Sequence, residues 1–212
     1  MKTIQGLPLP EAILRGAIQT FFERGFEKAS MDEVAARAST TKRTVYAHFG
    51  SKEELFRAAL ARAVELFLSE LPELGDTANP ARELEVFAAR FSELCTWRGA
   101  VRLQRVVMAE AERFPDLGGM LHREVIERTQ RTIADYLSRL ERSGAPTADG
   151  WAVDMAGLFL NMTTGPQRFA TLLQAREPAH DHPDVKAPPD LDRARIRQAV
   201  QVFLAGSGLL PC

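Results

Sequence analysis

The chain has 212 residues, 45% hydrophobic and 26% charged, with a formal net charge of −1; these values lie near globular averages and exclude a disordered chain, a collagen and a disulfide-scaffold toxin. No stretch approaches the roughly 18–20 uninterrupted apolar residues of a membrane span, and the N-terminus carries no basic-then-apolar leader, so a soluble cytoplasmic protein without a membrane partner is expected. Cys95 and Cys212, the two cysteines, have no framework spacing and fit a reducing compartment. The overall charge hides a division. Residues 1–62 hold 10 Lys/Arg and 7 Asp/Glu, against 17 and 21 in the remainder, so the positive excess that nucleic-acid binding calls for lies at the N-terminal end.

Apolar residues recur at i, i+3, i+4 and i+7 almost throughout and no segment alternates long enough for a strand, so the fold class is all-α. A first helix starts near Pro10 and runs through Leu14, Ala17, Ile18, Phe21 and Phe22. Gly25 ends it in a left-handed cap that lets Phe26 fold back on Phe21. The second helix opens on the capping box Ser30-Met31-Asp32-Glu33 and carries Met31, Val34, Ala35 and Ala38 inward. Ser39 and Thr40 break the run, and a short third helix covers about Thr41 to Phe49. A second capping box, Ser51-Lys52-Glu53-Glu54, starts a long fourth helix that ends near Pro72 and bridges both parts of the chain. Pro72 to Pro80 reads as a loop. Beyond it the expected helices are Ala81–Thr96, Trp97–Glu112, Pro115–Ser143, Thr147–Thr164, Gln167–Gln174 and Leu191–Gly206, with a polar loop over residues 175–190. The functional division is placed at residues 1–56 for DNA binding and 57–212 for ligand binding and dimerisation.

Three consecutive helices with a turn of a few residues before the last have the layout of a helix-turn-helix. On the third helix Val45 and Phe49 lie four apart and face inward, which turns Lys42, Arg43, Tyr46 and Ala47 outward. Lysine and arginine reach guanine edges or phosphate, Thr44 can donate to phosphate, and the Tyr46 phenol suits a backbone oxygen. Tyr46 could also be a half-buried core residue, and the spacing of His48 points it toward the packed side as much as toward DNA.

The run Thr41-Lys42-Arg43-Thr44-Val45-Tyr46-Ala47-His48-Phe49-Gly50-Ser51-Lys52-Glu53-Glu54-Leu55 resembles the TetR family of bacterial repressors, whose recognition helix commonly ends in Tyr-x-His-Phe before a Ser-Lys-Glu-x-Leu helix start. Gly25-Phe26, Ser30-Met31 and Val34-Ala35 fit the same pattern, and the likeness covers about residues 11–60. It implies a two-fold dimer that lays the third helix of each subunit in the major groove of an operator, with a C-terminal domain that binds a small effector. By position, Lys42, Arg43, Thr44 and Tyr46 match base- or phosphate-contacting sites and His48 and Lys52 match backbone-contacting ones; Ser30 and Thr41 complete the candidate DNA-binding set. Two positions depart from the pattern. Ser39-Thr40 stand where the family has glycine and an aliphatic residue, and a left-handed serine there costs roughly 1–2 kcal/mol relative to glycine. Arg43 replaces a frequent glycine and reads as a specificity determinant. Arg105 to Pro115 resembles a C-terminal domain from one branch of the family.

Aromatic and sulfur side chains of the second part suit an adaptable pocket for a small apolar or amphipathic effector. The candidates are Phe91, Trp97, Met108, Trp151, Met155, Phe159 and Met162, with His122, Asn161 and Arg102 as polar fixtures; plain core is the alternative for each. Leu103, Val107 and Met120 belong to the same expected body. The helix Thr147–Thr164 is apolar nearly all round, and with Ile196, Val200, Phe203 and Leu204 of the last helix it predicts an isologous four-helix contact between protomers, a central helix within one monomer being the alternative. His180 and His182 beside Asp181 and Asp184 are a weak metal pattern in a Pro-rich loop. No phosphate loop, nucleophile elbow or zinc-protease signature occurs, so no catalytic residue, cofactor or metal is assigned. The function expected is a ligand-responsive, homodimeric transcriptional repressor. A small-molecule-binding helical protein without operator specificity and a helical enzyme using the C-terminal pocket are the rivals.

Overall fold

A computed structural model describes residues 6–140, 150–178 and 193–209. Helices account for the regular structure, and no strand occurs among the described residues. The chain divides into two compact units, one of residues 1–69 and 102–121, the other of residues 70–101 and 122–212.

In the first unit, α1 (Leu9–Lys28) enters on Pro10 and is interrupted at Gly25, whose φ of 76° and ψ of 172° lie in a region open essentially only to glycine. The break returns Phe26 onto Phe21 in a stacked pair with ring centroids 6.0 Å apart. For α2 (Met31–Arg37) the Ser30 hydroxyl accepts from the Asp32 and Glu33 amides, at 3.1 and 3.3 Å. The Glu33 carboxylate accepts from Arg37 at 2.8 Å. Gly16 of α1 makes the crossing with α2 possible: a Cβ there would stand 3.2 Å from the Val34 carbonyl oxygen and 3.3 Å from Arg37 Cβ. Ala35 and Ala38 are buried on the α2 side.

The turn after α2 is a Schellman motif with serine in the glycine position. Thr40 N–H donates to the Ala35 carbonyl at 2.9 Å, Ser39 N–H to that of Ala36 at 3.2 Å, and Ser39 has φ 53°. The left-handed serine anticipated from the sequence is therefore present. Helix α3 (Lys42–Phe49) follows, then Gly50 at φ 71°, then α4 (Lys52–Ser69) capped by Ser51, whose hydroxyl accepts from the Glu54 amide at 3.0 Å. Arg62 of α4 clasps Glu11 of α1 through both carboxylate oxygens, at 2.9 and 3.0 Å, and this hydrogen bonding holds the Glu11 carboxyl below its ordinary value.

The unit is wider than residues 1–56. Leu103, Val107, Phe114 and Leu117, with Met120 partly buried, pack into the core of α1–α4, so the first two and Met120 do not belong to the second body as expected. Phe114 meets Phe26 edge-on at 4.9 Å and Phe56 at 5.9 Å. Helix α4 lies wholly within the first unit. The helix whose residues the two units share is α6 (Arg98–Ala109), divided after Val101.

The second unit starts with a loop and α5 (Pro80–Thr96), capped by the Asn79 side chain. Tyr136 and Arg139 hold the loop by donating to the carbonyls of Asp76 and Leu74, at 2.7 and 2.6 Å. Helix α7 (Pro115–Leu121) passes into a π-helical stretch at His122–Glu127 before α8 (Arg128–Leu140), so the expected Pro115–Ser143 helix is interrupted. The two helices expected at 147–164 and 167–174 are one, α9 (Trp151–Leu172), with Pro166 inside it. Proline removes the N–H that would bond the Met162 carbonyl; Arg195 of α10 (Arg193–Ser207) donates to that oxygen at 3.0 Å and to Thr163 O at 2.7 Å. Ile196, Val200, Phe203 and Leu204 are buried within the chain, Phe203 against Phe159 at 5.1 Å. The stripe expected to meet a second protomer is thus consumed by α10 packing on α5 and α9.

The two faces of α9 reverse the expected pattern. Ala156, Phe159, Leu160, Thr163, Thr164, Gln167 and Thr171 face the core. Trp151, Met155 and Met162 are half-buried, and Leu158, Phe169 and Leu173 are 54%, 65% and 63% exposed. At 100° per residue these six form one outward stripe.

Candidate nucleic-acid interface

Helix α3 has eight residues and buries one, Val45, while Phe49 is partly covered. Lys42, Arg43, Tyr46, Ala47 and His48 are exposed. Tyr46 is therefore no core residue, and His48 turns outward, its ring 6.3 Å from that of Phe49. The exposed side is basic and aromatic, the composition that base edges and phosphates require.

The residues around this face are fixed by the first unit. Thr41 Oγ1 caps α3 by accepting from the Thr44 amide at 3.2 Å and lies 2.9 Å from Thr44 Oγ1. Ser30 is likewise the cap of α2, so Ser30, Thr41 and Thr44 set helix starts as well as standing at the candidate interface. Lys42 Nζ pairs with Asp32 Oδ2 at 2.9 Å, and this hydrogen bond raises the Lys42 pKa and keeps it charged. Lys52, in the first turn of α4, donates to the Glu27 carbonyl at 3.1 Å and stands 4.8 Å from the centre of the Phe26 ring. Its ammonium ties the end of α1 to the start of α4, beside amides able to hold a phosphate. Arg113 packs on the same Phe26 ring at 4.7 Å and ion-pairs with Glu27, and with Glu53 at 3.7 Å.

Asp32, Glu27 and Arg113 have no interface role in the sequence analysis. Asp32 is ten residues from Lys42 and Arg113 far from both partners, so no helical spacing signals them; the opposite charges at the first turns of α2 and α3 are the one local hint. Gly16, where a Cβ would crowd α2, is likewise absent from the sequence analysis.

The candidate pocket residues are not brought together. Phe91 and Phe159 are buried and Trp97 is partly buried in the second unit, but Trp151, Met155 and Met162 lie on the outward stripe of α9. Met108 is 57% exposed and belongs to the first unit, as does exposed Arg102. His122 is exposed, 3.2 Å from Glu127, and Asn161 is exposed and donates to the Gly157 carbonyl. The sequence supplied apolar character without saying which face of each helix is covered. Cys95 is buried, and burial pushes its thiol up to about 12, which makes it unreactive. No cluster of three metal-ligating side chains occurs among the described residues; His180, Asp181, His182 and Asp184 lie outside them. No described helix is long and apolar enough to cross a membrane.

Residues 13–59 match the family model for bacterial regulatory proteins of the tetR family, and residues 82–206, more than half the chain, match the C-terminal domain of AefR-like transcriptional repressors. The chain belongs to the TetR family. Members of the TetR family are transcriptional regulators, not enzymes; they bind DNA operators and dimerise. The chain is 38% identical over 71 residues to the HTH-type transcriptional activator FasR of Mycolicibacterium smegmatis, covering 34% of this chain and 32% of FasR. It is 29% identical over 133 residues to the HTH-type transcriptional regulator TcmR of Streptomyces glaucescens, covering 62% and 53%. The match thus spans about a third and about half of these two curated relatives. Among solved structures, the flavonoid-responsive regulator FrrA superposes with a TM-score of 0.70 at 25% identity, over 93% of this chain and 96% of FrrA.

Proposed function

We propose that the chain is a ligand-responsive repressor acting in the cytoplasm as a homodimer on a pseudo-palindromic operator. The outward basic and aromatic face of α3 carries this reading: eight residues with one fully buried serve packing poorly and a groove well. Arg43 and Lys42 read base edges or phosphate, Tyr46 and Thr44 hold backbone oxygens, and Ser30, Thr41, His48 and Lys52 hold the flanking phosphates. The second unit binds effector and dimerises. The outward stripe of α9, Leu158, Phe169 and Leu173 with Trp151, Met155 and Met162, supplies an apolar surface of the kind protomers bury. FrrA's designation makes a flavonoid the first effector class to test, and the AefR-like repressor domain favours repression over the activation named for FasR.

Fluorescence anisotropy against the DNA upstream of the chain's own gene tests the reading. Sequence-dependent binding is expected, with affinity falling steeply as salt rises and half-sites about one helical turn, roughly 34 Å, apart or a multiple of it. Absence of sequence preference at every salt concentration overturns it.

A further inference from the structure

The inner face of α9 is polar over its C-terminal half, where a bundle core is ordinarily aliphatic. Thr163, Thr164, Gln167 and Thr171 are all buried. Thr163 and Thr171 turn their hydroxyls to helix carbonyls, those of Phe159 and Gln167, both at 2.8 Å. Ser92 of α5 donates to Gln167 Oε1 at 3.0 Å. That leaves Gln167 Nε2 and Thr164 Oγ1, together with Thr129 Oγ1 of α8, each more than nine-tenths buried and with no hydrogen-bond partner among the described residues. A buried polar atom left unpaired costs as much as a lost hydrogen bond, so the two on α9 point to a group that completes them.

Their placement is local. Thr164 and Gln167 are one turn apart on the same face. Helices α8 and α9 are consecutive and packed together, with Gln130 reaching Gly157. Gln130 opposite Gly157 sets the register of the pair, so Thr129 stands level with about residue 158 of α9, roughly 9 Å short of Thr164, and Thr164 and Gln167 are the two that share one place.

The chemistry is restrictive. Gln167 Nε2 only donates, and Ser92 holds the other end of the amide, so the ligand must present an acceptor oxygen. The Thr164 hydroxyl takes either role. No charged side chain pairs with either of the two atoms, and a charge buried without a counterion is too costly to bind. Buried Phe91 and Phe159 on the same helices as Ser92 and Gln167 suit an aromatic body.

We infer that Gln167 and Thr164 form the polar end of the effector site inside the second unit, and that the effector is an uncharged hydroxylated aromatic ketone that hydrogen-bonds the Gln167 amide. This rests on the effector-responsive reading above and gives the side chains and hydrogen bonds that would recognise the effector class named there. The test uses the full chain and naringenin, a flavanone with a carbonyl and phenolic hydroxyls, titrated by calorimetry. Saturable binding at one site per chain is expected, weakened about tenfold by Gln167→Met and by Thr164→Val. Without ligand, Thr164→Val should melt no lower than wild type, and up to about 2–4 °C higher, because it removes an unpaired buried hydroxyl. No saturable naringenin binding, or an unchanged Kd in both Gln167→Met and Thr164→Val, overturns the inference. So does a fall of several degrees in the ligand-free valine variant, which places this hydroxyl in an internal bond. Operator binding by the wild-type chain is measured separately: failure there removes the regulator reading and leaves the naringenin result to decide the site.

Discussion

Helices α3 and α9 are both amphipathic, and they use the property in opposite ways. In α3 one apolar residue, Val45, anchors a short helix whose other side is charged and aromatic, and the exposed side is the one its polarity predicts. In α9 the apolar stripe Leu158, Phe169 and Leu173 is exposed and the hydroxyl-and-amide stripe is buried. Polarity therefore predicts exposure only where one partner surface exists. Helix α3 has only its own unit to pack on, whereas α9 lies among α5, α8 and α10 and leaves an apolar side for a further surface.

The largest test of that contrast is on α9. Replacing Leu158 and Phe169 together by aspartate and glutamate should convert the dimer to monomer in sedimentation velocity and weaken operator binding by roughly thirtyfold or more, the loss expected when a buried aromatic anchor is removed from an interface. An unchanged sedimentation coefficient would assign the outward stripe another role.

On α3, Arg43→Ala should cost about 1–3 kcal/mol at one operator position and relax preference there, while Lys52→Ala should weaken all sequences alike and lower the salt slope by about one. Binding to a set of single-base operator variants separates the two, and equal losses across the set for both would remove the division of roles.

The scaffold that presents α3 gives smaller effects. Glu11 has its pKa lowered by Arg62, so the stability it contributes is present above its ordinary value of 4.5 and is lost as pH falls below it. Glu11→Gln should thus cost about 0.5–1 kcal/mol in denaturant unfolding at pH 7, with the difference from wild type shrinking below about pH 4. A difference that persists at pH 3 would mean that packing, not charge, is responsible.

The smallest change expected is Ser39→Gly. Glycine relieves the left-handed strain of about 1–2 kcal/mol but gains freedom in the unfolded chain, leaving a net stabilisation of about 0.5–1 kcal/mol. A lower melting temperature for this variant would show that the serine side chain contributes more than its backbone costs.

The first fifty-odd residues were legible because their signals are local. Capping serines at 30 and 51, the glycine at 25, the return of Phe26 onto Phe21 and the inward pair Val45 and Phe49 all act within a few residues of themselves. The recognition face followed from that spacing, and so did the strained turn at Ser39. What failed depended on distant partners. Leu103 and Val107 were assigned to the second body because they follow the loop in sequence, yet they complete the core of the first unit. Trp151, Met155 and Met162 were grouped into a pocket by composition, and the packing of α9 turns them outward.

By itself the sequence determined the all-helical class, the start and stop of the first helices and the side chains α3 presents, because caps, turns and helical period are properties of neighbouring residues. Only the tertiary structure decided that Asp32 holds Lys42, that Arg113 and Phe114 pack against the end of α1, and that the hydroxyls and amide at residues 163–171 of α9 face inward. Those are long-range choices about which surfaces meet, and a helix carries the same sequence pattern whichever of its sides the rest of the chain covers.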